Sequence, residues 1–205
     1  MLKNSEWGAI TYLTTSIYGQ DLTKVRIKNS STFITGCAAS VENGSEYTGC
    51  ENAYNTSNGY LASTTGNISG IYDMSGGSWE YVMGVLEDSL NSNIPTSGYS
   101  SEYNSGFDGM NLNDGTTTMG VAFPESKYYD IYQYSTDHTD NTRYHLGDAT
   151  IETKGWDLAI GAFVSSSYPW FVRGGAYNNE QWAGHCTFGV NNGKSNNFST
   201  RAILR

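Results

Sequence analysis

The apolar residues of the chain follow helical spacing in two segments. The first, residues 6–13, predicts a short helix whose core face carries Trp7, Ile10 and Leu13. In the second, residues 78–90, apolar side chains recur at i, i+3, i+4 and i+7, which predicts another helix with one face formed by Trp79, Val82, Met83 and Leu86. Helices are therefore expected near the N-terminus and before the middle of the chain.

Short strands are expected elsewhere. Alternation along residues 24–28 predicts a half-exposed strand with its cations facing solvent. In the last third of the chain, strands separated by tight turns are expected at residues 159–164, 170–173 and 186–190. Residues 35–70 are rich in Gly, Ser, Thr, Asn and Tyr, and within the irregular region 91–148 only residues 127–134 look ordered. Few regular elements joined by long loops indicate an α+β domain.

The composition indicates one folded domain over residues 1–205 with an aromatic core. The chain has 16 Tyr, 7 Phe and 5 Trp, and a formal net charge of −9. These aromatic side chains supply large buried areas where aliphatic residues are few. Asp and Glu number 20 against 11 Lys and Arg, and no window clusters cations. A nucleic-acid partner is therefore not expected.

The sequence contains no apolar run of about 20 residues, so membrane insertion of this chain is not expected. A charged-then-apolar signal segment is also missing. The residues after Met1 read as the interior of a domain. We therefore expect the chain to be the C-terminal part of a longer protein.

The cysteines and histidines predict neither a metal nor a cofactor. Cys37 and Cys50 lie in one loop and could close a disulfide worth about 3 kcal/mol, which would imply an extracellular location; two free thiols are the alternative. The histidines lack metal-ligand spacing, and Thr142 stands where a calcium loop over residues 137–148 would need Gly. His185 and Cys186 are adjacent on a predicted strand, so they should point to opposite faces and not meet.

Residues 177–197 (the C-terminal segment) are the candidate binding region. Asn, Gly, Tyr and Trp are the residues of adaptable binding loops, since small polar groups hydrogen-bond in many ways and aromatics supply contact area. Asn and Gly also simply build turns. Composition alone leaves the two interpretations open.

Two stretches carry a resemblance to a known family. The sequence GIYDMSGGSWEYVMG at residues 70–84, PWFVRGGAY at residues 169–177 and an Arg near the end resemble the formylglycine-generating-enzyme branch of the C-type lectin fold. The resemblance implies a small twisted antiparallel sheet, few helices and long ordered loops. It also implies structural roles for Trp79, Glu80, Arg173, Gly174, Gly175 and Arg201, the arginines binding carbonyls or a carboxylate.

The same resemblance bears on function. Its enzymes bind copper through two cysteines in their C-terminal part, whereas this part of the chain has Cys186 alone. The fold also includes non-catalytic proteins diversified by retroelements, phage tropism determinants among them, whose variable positions lie in the C-terminal segment. We therefore expect a non-catalytic receptor-binding or adhesive domain for a protein or glycan on a cell or virion surface. The alternatives are an enzyme of the formylglycine-generating type and a structural surface, pilin or tail module. The predicted ligand-binding residues are Tyr177, Asn178, Asn179, Trp182, His185, Thr187, Asn191, Asn192, Asn196 and Asn197.

Overall fold

The computed structural model describes residues 1–20, 56–57, 59–87, 111–112, 120–121, 126–133, 145–164, 168, 170–176, 179, 182–191 and 198–203. Several predictions lie outside these residues: the strand at 24–28, the Cys37–Cys50 disulfide, and the binding positions Tyr177, Asn178, Asn192, Asn196 and Asn197.

The described part of the chain contains one α-helix and seven strands. The helix α1 is Asn4–Thr15. The strands are β1 (Trp79–Glu87), β2 (Asn111–Leu112), β3 (Gly120–Val121), β4 (Asp130–Gln133), β5 (Trp170–Gly174), β6 (Gly184–Asn191) and β7 (Phe198–Thr200). Short 3₁₀ turns are Gly59–Ala62, Ser126–Tyr128, Ile151–Thr153 and Trp156–Leu158. The mixed α+β class is thus confirmed.

The main sheet has the order β4-β1-β5-β6, and β7 pairs with the first residues of β1. Strands β5 and β6 run antiparallel, as do β1 and β5, but β1 pairs in parallel with both β4 and β7. The expectation of an antiparallel sheet is therefore wrong, and the sheet is mixed. Parallel pairing needs a long connection, and residues 88–129 lie between β1 and β4 in the sequence. Strands β2 and β3 form a separate antiparallel pair.

The helix predicted over residues 78–90 is instead the central strand β1. Val82 and Met83 are neighbours that point to opposite faces of the sheet, and both are buried. A strand covered on both faces reads as a continuous apolar run, in which helical spacing arises by chance. A Cβ on Gly84 would lie 3.0 Å from the Phe171 ring, so a larger residue here would require that ring to shift. The aromatic and β-branched residues of Trp79–Glu87 also favour a strand.

Helix α1 is confirmed, but its core face differs from the prediction. Trp7 is fully buried and Ile10 packs against the core, whereas Leu13 is 62% exposed. The buried face is completed by small and polar residues, namely Asn4, Gly8, Thr11 and Thr14. Small residues let the helix approach its neighbours closely, and the approach is closest at Gly8, beside residues 147–148.

The remaining predicted strands are confirmed in part. Those at residues 170–173 and 186–190 lie within β5 and β6. Residues 127–134 include the turn before β4 and β4 itself, up to Gln133. In the segment 159–164 only Gly161 forms a bridge, to Phe188. The hydrophobic core consists of buried residues from these elements and the loops between them, namely Leu2, Trp7, Met74, Val82, Tyr132, Val164, Phe171 and Phe188.

Leu2 forms backbone hydrogen bonds both with β1 and with the residue that follows β7. Its N–H donates to the carbonyl of Arg201 at 3.0 Å, and its own carbonyl accepts from the N–H of Met83 at 2.8 Å. Leu2 and Arg201, which lie near the two ends of the described chain, therefore meet beside β1. Among the described helices, none has the length and apolar character needed to cross a bilayer.

Candidate functional site

The C-terminal segment follows β5, contains β6 and ends where β7 begins. Near its far end, Arg201 holds Glu80 of β1 by two bonds, Nε to Oε2 at 2.7 Å and Nη2 to Oε1 at 2.5 Å. Nη2 also donates to the carbonyl of Asp73 at 3.1 Å, where the backbone has a positive φ of 60°. Burial raises the pKa of the Glu80 carboxyl, and the bonds from Arg201 oppose that rise. We call this contact the Glu80–Arg201 pair.

At the other end of the segment, Arg173 of β5 is fully buried. Its Nη2 donates to the carbonyl of Asp148 at 3.0 Å, and its Cζ lies 5.8 Å from the Trp7 ring centroid and 5.9 Å from that of Phe188. Within the described residues, Nε and Nη1 have no hydrogen-bond partner, so the guanidinium binds this one carbonyl. Burial lowers the pKa of the Arg173 guanidinium to about 10.

Gly174 and Gly175 make the turn out of β5. Their φ values are 84° and 75°, a left-handed region that other residues rarely adopt. A Cβ on Gly175 would lie 2.9 Å from the Ala183 side chain. The two glycines are therefore required by the backbone path that brings β6 back beside β5.

Strand β6 contains a large bulge opposite this turn. Arg173 pairs with Phe188, yet the next residue, Gly174, pairs with Gly184. Residues 185–187 of β6 consequently have no pairing partners on β5, and the alternation of side-chain direction is interrupted.

The bulge overturns the expectation that His185 and Cys186 cannot meet. The Cys186 Sγ lies 3.4 Å from the His185 Nε2, because the regular strand geometry on which that expectation depended is absent here. Both side chains are 1% exposed. The thiol–imidazole contact is thus in the interior, away from any substrate at the surface.

The described binding positions differ in their exposure. His185 and Thr187 are buried in the bulge, so their predicted place on a binding face is wrong. The Oδ1 of Asn179 accepts from the Ala176 N–H at 2.7 Å, and the Nδ2 of Asn191 donates to the Tyr81 hydroxyl at 2.7 Å. These two asparagines stabilise turn and sheet. Trp182 is 52% exposed.

The side chain of Trp182 is exposed, while its backbone is held in place by neighbouring contacts. Its carbonyl accepts from the Thr187 hydroxyl at 2.7 Å, and the next residue, Ala183, is fully buried. An exposed Trp on a fixed backbone offers a large contact area with little loss of conformational entropy. Of the predicted positions that the structure describes, Trp182 alone is exposed.

An apolar strip beside β6 was not predicted. Trp156, Leu158 and Ile160 are 37%, 59% and 39% exposed, and Leu158 has a positive φ of 61°, which is rare for a large residue. The carbonyl of Ile160 accepts from the Phe188 N–H at 3.2 Å, which ties the strip to the outer edge of β6. Its sequence signal was the alternation in WDLAI, which the sequence analysis assigned in part to a strand.

His185 should make stability depend on pH. Burial and the charge of Arg173 lower the pKa of His185 from 6.5 to about 4. The unfolded chain therefore takes up a proton near pH 6.5 that the folded protein accepts only near pH 4, so acid favours unfolding. Lowering the pH through this window should cost about 3 kcal/mol. Urea unfolding of the wild type and of His185→Gln at several pH values checks this.

The pH result must be read as a difference between variants. Burial raises the pKa values of Glu80 and Asp148, which gives these carboxyls the opposite pH dependence. These contributions cancel when the wild type is compared with His185→Gln. The exposed His145 provides the control exchange His145→Gln. Equal pH slopes for the wild type and His185→Gln would contradict the assignment.

The described residues contain no group of three or more His, Cys, Asp or Glu side chains placed to hold a metal ion. No family model, curated protein or solved structure matches the chain.

Proposed function

We propose that the chain is a non-catalytic recognition domain, receptor-binding or adhesive, whose ligand is a protein or glycan on a cell or virion surface. The binding face is the exposed part of the C-terminal segment, with Trp182 as its apolar anchor. The observation that carries the proposal is the 52% exposure of Trp182 from a backbone fixed by Thr187 and Ala183. Binding energy in such interfaces concentrates on a few residues, among which Trp is enriched.

The frame around the C-terminal segment supports the proposal. Arg173 and the turn at Gly174 and Gly175 fix the start of the segment, and the Glu80–Arg201 pair fixes its end. Sequence changes at exposed positions between these anchors, such as Trp182, need not disturb the sheet. This arrangement suits a C-type-lectin-like scaffold that presents a changeable surface, as the resemblance implies.

Trp182→Ala is expected to weaken ligand binding about 30-fold or more, the effect of losing a hot-spot residue of about 2 kcal/mol. The probes are an array of immobilised cell-surface glycans and a display library of cell-surface ectodomains. Tyr128→Ala is the matched control, because Tyr128 is a partly exposed aromatic residue just before β4, at the opposite edge of the sheet from β6. It should leave affinity unchanged.

The alternatives give different results in the same experiments. A structural surface, pilin or tail module would bind neither probe set, and a ligand lost through Tyr128→Ala but not Trp182→Ala would place the binding face elsewhere. An enzyme of the formylglycine-generating type would bind copper(I).

Diversification is a property of the gene: substitutions clustered in the Asn codons of the C-terminal segment across a population would support it, and an invariant segment would contradict it.

A further inference from the structure

The interior beneath helix α1 holds a charge without a counter-charge in contact with it. Arg173 is 0% exposed, and among the described residues its guanidinium donates to one group, the neutral carbonyl of Asp148. No ion pair to Arg173 occurs among the described residues. Buried charges are normally paired, because removing an ion from water costs several kcal/mol.

The nearby carboxylates are engaged elsewhere. The Oδ2 of Asp148 accepts from the Tyr132 hydroxyl, and this carboxylate also faces His145. The carboxylate of Glu152 accepts three backbone N–H groups, at residues 147, 149 and 150, at 3.0 to 3.2 Å. Neither carboxylate forms a hydrogen bond with the guanidinium.

Several polar atoms in this region have no hydrogen-bond partner among the described residues. They are the Nε and Nη1 of Arg173, the Nδ1 of His185, the Oγ1 of Thr150 and the Oδ1 of Asn4. Thr150 lies two residues beyond the Asp148 carbonyl that Arg173 binds. Trp7 contacts both of the other residues, because its ring lies 5.8 Å from the Arg173 Cζ and its Nε1 donates to the His185 carbonyl at 2.8 Å. Buried groups left without partners are rare in native proteins, so the donors in this set need a partner.

We infer that Arg173, His185 and Thr150 bind a small monovalent anion of halide size in the protein interior. The Arg173 Nε and Nη1 are donors, the Thr150 hydroxyl can donate, and His185 donates in its Nδ1–H tautomer. An anion therefore finds donors from three elements and neutralises the guanidinium. A water molecule would meet the hydrogen-bonding needs but add no negative charge in contact with the guanidinium, on which the carboxylates of Asp148 and Glu152 act without hydrogen bonds.

The test is thermal unfolding of the full chain in sodium chloride or sodium bromide against sodium gluconate at matched ionic strength. Gluconate is too large for an interior site. A ligand that binds only the folded state stabilises it with the logarithm of its concentration, so each tenfold rise in halide above the dissociation constant should raise Tm by about 3 °C. Equal Tm values in halide and gluconate would overturn the inference.

Two variants separate site binding from a general salt effect. Thr150→Val removes one donor at nearly constant volume and should lower halide affinity several-fold, which reduces the Tm rise. Thr14→Val is the control, because the Thr14 hydroxyl is also buried but donates to the Ile10 carbonyl at 2.7 Å within α1. A halide dependence that is the same in both variants would contradict the site.

Bromide also gives a direct readout that no variant can obscure by failing to fold. Crystals of the wild-type protein grown in bromide should show an anomalous peak within hydrogen-bonding distance of the Arg173 Nε or Nη1. Ordered water at this place without an anomalous peak, or anomalous peaks on the surface only, would overturn the inference.

Discussion

Replacing Gly8 with Ala should destabilise the protein by about 3 kcal/mol or more, although the same exchange in an exposed helix stabilises it by about 1 kcal/mol. A Cβ on Gly8 would lie 2.3 Å from the carbonyl oxygen of Gly147 and 2.5 Å from the Cα of Asp148. These are backbone atoms, so no side-chain rotation relieves the overlap. The helix or the 147–148 loop must move.

A shift of the helix or of the 147–148 loop would also displace buried groups that these two elements hold. Residues 147–148 carry the carbonyl that binds Arg173, and α1 carries Trp7, whose Nε1 donates to the His185 carbonyl at 2.8 Å. Urea unfolding of Gly8→Ala measures the loss of stability. Ala9→Gly is the control, since Ala9 is exposed on the same helix and should lose only about 1 kcal/mol. A Gly8→Ala protein as stable as the wild type would show that α1 does not pack this closely.

Among the substitutions at neutral pH, breaking the Glu80–Arg201 pair should have the second-largest effect. Arg201→Met leaves the carboxylate of Glu80, which is 7% exposed, without its cation, and we expect a loss of about 2 to 3 kcal/mol. The effect is below that of a fully buried pair because the Arg201 side chain is 28% exposed. Glu80→Gln should cost less, since the Gln oxygen still accepts one bond from Arg201.

A double-mutant cycle isolates the pair. The combined variant Glu80→Gln/Arg201→Met should be more stable than the sum of the single losses predicts, by about 1 kcal/mol or more. Lys3→Met provides the comparison, because the Lys3 Nζ lies 3.4 Å from Asp130 in a looser contact and should cost under about 1 kcal/mol. Purely additive losses at Glu80 and Arg201 would mean that the two side chains stabilise the fold independently.

The sequence predicted helix α1, strands β5 and β6 and the mixed α+β class, because each has a clear local signal. It failed at β1, where a strand buried on both faces has no alternation to distinguish it from a helix. Leu13 was assigned to the core on spacing alone, yet small polar residues form the buried face of α1. Such close packing depends on the neighbouring 147–148 loop, which a helical pattern does not reveal.

The candidate site was predictable only as far as local geometry is regular. Trp182 is exposed and so remains a candidate for ligand contact, whereas His185 and Thr187 are buried because the bulge in β6 changes their direction. A bulge of this size depends on the pairing of β6 with β5, and the residue types at 185–187 do not predict it. The unpaired donors around Arg173 are likewise a tertiary feature, since β5, β6 and the 147–150 loop meet only after folding.

The hydrogen bonds on either side of Leu2 give the domain a single point of attachment. Whatever polypeptide is joined before Leu2 or after Arg201 must leave from the same edge of the molecule, next to β1. Chain ends that lie together allow a domain to be carried on a neighbouring one, or inserted into its loops, without stretching the fold. Movement of such a neighbour would turn the domain about one pivot, and the orientation of Trp182 relative to a surface would follow that rotation.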